Sequence, residues 1–229
     1  MITAKLYTHM KAGMRMATST DILTLTQWLS PSYPVGAFSY SHGLEWAIQA
    51  GQVTDAASFQ DWLGQILHHG SGRNDAILLV CAYHAQSDDV ATIDAEARAF
   101  APSRERLLET TAQGAAFCRT TQAIWGDSLP ALTYPVALGH AARVHGFDPT
   151  LTCALYLHAF ASNLVSAAIR LVPLGQTEGQ AILTALAAQC QDIAVQSQDL
   201  SLDDLGGSTL LADIASMKHE TQYTRLFRS

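Results

Sequence analysis

The chain has 229 residues, 48% of them hydrophobic and 14% charged, and its 13 Lys and Arg against 20 Asp and Glu give a formal net charge of −7. That length fits one domain, and the acidic balance excludes a nucleic-acid-binding protein, which needs a basic face to hold phosphates. Few charges over a wide apolar share point to a surface partly covered by other protein, although abundant alanine also raises the apolar count.

The first twenty residues, "MITAKLYTHMKAGMRMATST", lack the apolar stretch of a secretory signal. Lys5, Lys11 and Arg15 with no acidic residue give a faint organellar-leader composition, but residues 1–20 read as a disordered tail in which Met14 or Met16 would serve as a start. Ile22, Leu25 and Leu29 then fall at helical spacing. The loop "SPSYPVGAFSYSHGLEWA" follows, and Leu44, Ala47 and Ile48 begin a second helix that Gly51 stops. Thr54 or Asp55 caps the next, whose stripe is Phe59, Trp62, Leu63, Ile66 and Leu67. Helices are expected over Ala76–Ala85, Ala91–Ala101 and Arg104–Trp125, the last capped by Ser103.

The second half is punctuated more sharply. Pro135 opens a helix that Gly146 closes, and Asp148-Pro149 opens a long apolar one. "VPLGQT" breaks it, Thr177 starts Glu178–Gln196, and Gly206-Gly207 introduces a short final segment. The run Leu151–Val172 approaches membrane-span length, but His158, Ser162, Asn163, Ser166 and Arg170 interrupt it, so a buried central helix is expected and no membrane partner. Strand signals are nearly absent. The expected fold is all-α, a single-domain bundle of roughly ten helices over 21–217, with a tail at 218–229. Cys81, Cys118, Cys153 and Cys190 form no CxxC pair and lie in apolar helical patterns, which predicts reduced, buried thiols in a cytoplasmic protein.

Catalytic motifs fail on spacing. There is no G-x-x-x-x-G-K-[ST] loop, and "HGSGRND" lacks the third glycine and the strand of a dinucleotide site. Ser39 and Ser41 lie beside His42, but without the G-x-S-x-G elbow. His68-His69 point about 100° apart on a helix, His140 and His145 are five apart, and His219-Glu220 lacks a second histidine. No stable metal site is expected, and His219 is left as the one candidate for a transient ligand.

Two stretches instead read as contact surface. In the opening loop Pro31 and Pro34 fix φ, Gly36 permits close approach, and Phe38 and Tyr40 present large rigid rings. Phe38 and Trp46 suit a core plug as well as a contact, whereas Tyr40, Ser41, His42 and Glu45 are assigned to the contact surface. In the final stretch "KHETQYTRLFRS", Tyr223, Leu226 and Phe227 are too apolar for water, and Arg225 and Arg228 flank them. Ordering on a partner is expected for this tail, with docking on its own body as the alternative. Arg170, one turn before Pro173, suits a helix C-terminus, where a cation is favourable.

"SPSYPVGAFSYSHGLE", "LVPLGQTEGQAIL", "DIASMKHE" and "YTRLFRS", in this order, closely resemble the UreF family of urease accessory proteins, over roughly Leu23 to Ser229. The resemblance implies an all-α homodimer with no chemistry of its own and no stably bound cofactor, nickel being handled by the complex. It implies three partners: the nickel-carrying GTPase UreG, the UreD/UreH scaffold and the urease apoenzyme. It also implies that Arg170 faces the GTPase and that the tail faces UreD/UreH. A nickel-binding metallochaperone in its own right is the alternative.

Overall fold

The computed structural model describes residues 16–86, 88–126 and 129–229. They form ten α-helices and three short 3-10 turns, with no strand among the described residues. The helices are α1 (Ser19–Trp28), α2 (Leu44–Gln49), α3 (Ala56–His69), α4 (Ser71–His84), α5 (Val90–Ala99), α6 (Arg104–Trp125), α7 (Tyr134–His145), α8 (Pro149–Leu171), α9 (Gln176–Gln196) and α10 (Leu210–His219). The all-α expectation is met, including the number of helices.

Local chemistry sets most boundaries. Thr18 and Asp21 exchange hydrogen bonds in a capping box at the start of α1. Helix α1 therefore begins inside the segment expected to be a disordered tail, while residues 1–15 lie outside the described ones. Asp55 accepts from the Ser58 amide at 2.9 Å, and Ser103 from the Arg106 amide at 3.0 Å. Gly146 closes α7 at φ 67°. Helix α4 starts at Ser71, five residues ahead of the expected Ala76, packed hard against the end of α3. At the other end α10 runs through Lys218 to His219, so the expected tail loses its first two residues to the helix.

The middle of the bundle is α4, buried at Ala76, Ile77, Leu78, Leu79, Val80 and Ala82, hence nearly all round. Its main neighbour is α7, where the main chains touch: a methyl group on Gly139 would collide with the Leu79 carbonyl oxygen. Helices α8 and α9 form an antiparallel hairpin across a four-residue break and close one side, with α3 beneath α9. Helix α8 is long and apolar enough to cross a membrane, but half of its most apolar window is buried inside the subunit, as befits a core helix.

The opening loop belongs to this core at its first half. Tyr33 is buried and its hydroxyl meets Thr121 Oγ1 of α6 at 2.9 Å, while Trp28 before it stands edge-on to Phe117 at 5.3 Å. All four cysteines are free. Burial pushes the Cys153 thiol up to about 12 and that of Cys190 to about 11, which leaves them protonated and inert.

Candidate functional site

Three stretches far apart in sequence meet at one place: the second half of the opening loop, the C-terminal end of α8, and residues 220–229. The last ten residues run as an irregular strap over α2, α6 and the loop. Its backbone is held at both edges. The Arg228 amide donates to the Ser39 carbonyl at 2.8 Å, and the Ser41 amide donates to the Ser229 carbonyl at 2.6 Å. The Ser41 hydroxyl donates to that same carbonyl. These pairings span nearly the whole chain and draw its front and back together.

Glu45, in the first turn of α2, is the strap's main receptor. Its Oε1 accepts the Leu226 amide at 2.7 Å and its Oε2 the Phe227 amide at 3.0 Å. A carboxylate taking two backbone N–H groups in a mostly buried spot is a strong, charge-assisted clamp. Helix α2 is fixed in turn by Gly43, at φ 78°, whose missing Cβ leaves room for the Ser216 backbone of α10, 2.6 Å from where a methyl would sit. Beside Glu45, Glu105 of α6 accepts from Arg225 Nη1 at 2.7 Å and pairs with His219 Nδ1 at 2.6 Å. His219 is fully buried.

Arg170 ties the third stretch in. Its guanidinium carbon lies 4.5 Å from the centre of the Phe227 ring, and its Nη2 donates to the Phe38 carbonyl at 3.3 Å. Phe227 is only 5% exposed, under that cation. The C-terminal cap role is present as well, since Arg170 Nε reaches back to the Ser166 carbonyl at 3.3 Å.

Beneath the strap lies a buried ionic cluster that sequence reasoning missed. Arg106 pairs with Asp75 at 2.5 Å and approaches Glu109 at 3.4 Å, and Tyr156 donates to Asp75 at 2.6 Å. Burial opposes the Arg106 charge, but Asp75 and Glu109 more than offset it and hold the guanidinium more firmly protonated than usual. Burial likewise pushes the Glu109 carboxyl up, yet Arg106, His42 and the Ser229 hydroxyl together hold it below the ordinary range. The Ser229 hydroxyl donates to Glu109 at 3.1 Å, so the strap's last residue rests on this cluster. "RERLLE" carried the only hint, charges recurring at Arg106 and Glu109 on a helix whose other face is polar too.

The expected contact residues therefore divide. Tyr40 (3% exposed), Ser41 (0%) and His42 (7%) face the interior, not the solvent, because the strap and α8 cover them. His42, at φ 58°, holds Ser71 Oγ at 2.7 Å and stands edge-on to Phe160 at 5.3 Å. Phe227 also points inward, and the tail docks on its own body instead of standing free. The mostly buried carboxylates Glu45, Glu105 and Glu109 require these donors, and Phe227 requires cover. What stays outside is Phe38 (66% exposed), Leu226 (64%) and fully exposed Tyr223, with Arg170, Arg225 and Arg228 exposed around loop and strap. Trp46 is half-buried against the core. No three His, Cys, Asp or Glu side chains among the described residues converge to hold a metal ion.

A protein-family model, that of UreF, matches residues 53–187. The chain belongs to the UreF family. The urease accessory protein UreF of Roseobacter denitrificans is 56% identical over 216 residues, covering 94% of this chain and 97% of the relative. That of Ruegeria pomeroyi is 52% identical over 217 residues, 93% of this chain and the whole relative. That of a Bradyrhizobium strain is 45% identical over 240 residues and spans both chains fully. UreF relatives are named accessory proteins and not enzymes, and a role in urease maturation follows from the membership. The family match begins at Val53, beyond the opening loop, and stops short of α10 and the strap.

Proposed function

We propose that the chain is a non-enzymatic, homodimeric adaptor of the cytoplasm, linking the nickel-carrying GTPase UreG to the UreD/UreH scaffold and the urease apoenzyme. In this reading it modulates GTPase-coupled nickel insertion and holds no cofactor of its own. The observation that carries the reading is the exposed set Phe38, Tyr223 and Leu226, displayed on a loop and a strap that are themselves firmly anchored. Large rings held rigidly in water lose little entropy when a partner covers them, which makes them effective anchors of an interface.

The roles of the residues that anchor loop and strap change within this reading. Ser41, His42, Glu45, Arg225 and Phe227 hold the display surface in shape, while Phe38, Tyr223, Leu226 and Arg228 touch the partner. Arg170 does both, since its guanidinium is exposed and supports Phe227 and Phe38.

Co-purification with UreG and UreD/UreH tests the proposal. Phe38→Ala, Tyr223→Ala and Leu226→Ala together are expected to abolish complex formation and nickel-dependent urease activation, with thermal unfolding unchanged. Undiminished co-purification by the triple variant would overturn the reading. The metallochaperone alternative requires tight stoichiometric nickel on the isolated chain in equilibrium dialysis.

A further inference from the structure

We propose that the cavity between the start of α4, the end of α5 and the approach to α10 binds a primary alkylammonium group, held by the Asp213 carboxylate and the Thr209 hydroxyl. The inference goes beyond the adaptor reading and does not depend on it.

The cavity has a volume of about 140 Å³. A hole of that size holds one benzene molecule, so it admits about six non-hydrogen atoms. Its lining is mixed. Leu78, Ala97 and Phe100 supply apolar surface, while Asp75, Thr209 and Asp213 supply polar atoms.

Two of these polar groups lack partners. Asp213, in the first turn of α10, is half-buried, and its carboxylate makes no hydrogen bond and no ion pair with the described residues. Burial pushes that carboxyl above its ordinary value, and the charge of His42 opposes this only in part. Its place near a helix N-terminus suits a negative charge but supplies it with no donor. Thr209 is 8% exposed, and its hydroxyl makes no hydrogen bond with the described residues. That hydroxyl stands over Gly70, where an added methyl group would lie 2.5 Å from Thr209 Oγ1, so the bare glycine leaves it room.

The charges select a cation. Arg106 also reaches the cavity, but its guanidinium is already given to Asp75 and Glu109. Asp75 in turn uses Oδ2 for both Arg106 and Tyr156. The Asp213 carboxylate is the charge left over, and a half-buried acceptor without a donor is costly. An ammonium carries three N–H donors on one atom, which suits a carboxylate beside a hydroxyl. A short alkyl stem covers the apolar lining, which a bare ammonium ion leaves empty. A quaternary ammonium has no N–H to give. The same group comes from a free amine or from the lysine side chain of another protein.

The test uses the full chain, with n-butylammonium chloride as the probe and sodium chloride at equal ionic strength as the reference. The thermal unfolding temperature is expected to rise and saturate with n-butylammonium, and calorimetric titration to give one ligand per chain. Tetramethylammonium should do neither. Nor should n-butyrate, the control for an anion drawn to the N-terminus of α4. Asp213→Asn should remove the rise with helical circular dichroism intact, and Thr209→Val should weaken binding several-fold. If Asp213→Asn fails to fold, Thr209→Val decides. Nα-acetyllysine N-methylamide separates the two sources: its binding points to a lysine of another protein, its failure to bind to a free amine. An equal rise with tetramethylammonium or n-butyrate overturns the proposal, as does a rise that persists in Asp213→Asn. So does the lack of any saturable effect of n-butylammonium on the native chain.

Discussion

The guanidinium of Arg170 caps the ring of Phe227 at 4.5 Å, joining the end of the longest apolar helix to the last aromatic of the sequence. The same side chain holds the Phe38 carbonyl. Two exposed anchors of the proposed interface, Phe38 and Leu226, thus sit on backbone that one arginine steadies from both sides.

Arg170→Ala is expected to loosen the strap without disturbing the bundle. The cation–π contact contributes about 0.5–1 kcal/mol at an exposed site and the hydrogen bond about 1 kcal/mol. Tryptic cleavage after Arg225 should therefore rise by a factor of roughly 10 to 30, with helical circular dichroism unchanged. Charge reversal at this position should in addition weaken coupling to the GTPase. A spectrum that collapses would mean that the cap on α8 matters more than the bridge.

Arg106→Met is expected to be among the most damaging single changes. It leaves Asp75 and Glu109 buried without their cation, which costs about 3–5 kcal/mol. At about 2–4 °C per kcal/mol for a chain this size, thermal unfolding should fall by roughly 6–20 °C. Asp75→Asn in the same chain should restore part of the loss, because one of the two orphaned charges is then gone.

Acid should release the strap before it unfolds the bundle. The Glu109 carboxyl is held below the ordinary range in the folded chain. Its contribution is therefore complete above the unfolded value, about 4.3, and is lost as pH falls through the lower, folded one. Protonation removes the charge that strengthens the Ser229 hydroxyl's hydrogen bond and that pairs with Arg106. Stability against denaturant should decline below about pH 4 in the native chain, and Glu109→Gln should be less stable at pH 7 with a flatter acid limb.

Gly139→Ala probes the centre of the fold. An added methyl meets the Leu79 carbonyl of α4, a backbone atom that cannot swing aside. Overpacking of this kind costs about 1–3 kcal/mol, and since α4 and α7 would separate, the near-ultraviolet circular dichroism signal should weaken along with thermal stability. The same change at Gly126, which has open space around a left-handed φ of 80°, should cost less, about 1 kcal/mol, from backbone strain alone.

The helices were readable because their signals are local. Asp55, Ser103, Pro135 and Gly146 each act within one turn, and the structure uses all four as the sequence suggests. The start of α4 was not readable, since "HGSGRND" has neither apolar spacing nor a capping side chain, and tertiary packing alone makes it helical. At the site, composition shows that Tyr40, Phe227 and their neighbours need cover. It does not show what covers them. The partners Glu45, Glu105 and Glu109 lie more than a hundred residues from the strap in sequence, and no local pattern links such distant groups. Asp75 and Arg106 were hidden for the same reason.

The pairing of Ser41 with Ser229 has a consequence for recognition. Phe38 and Tyr223 are far apart in sequence, and the composite face they form exists only where loop and strap have met. A partner of the proposed kind, gripping both sides of that face, would read the folded arrangement and not either segment alone.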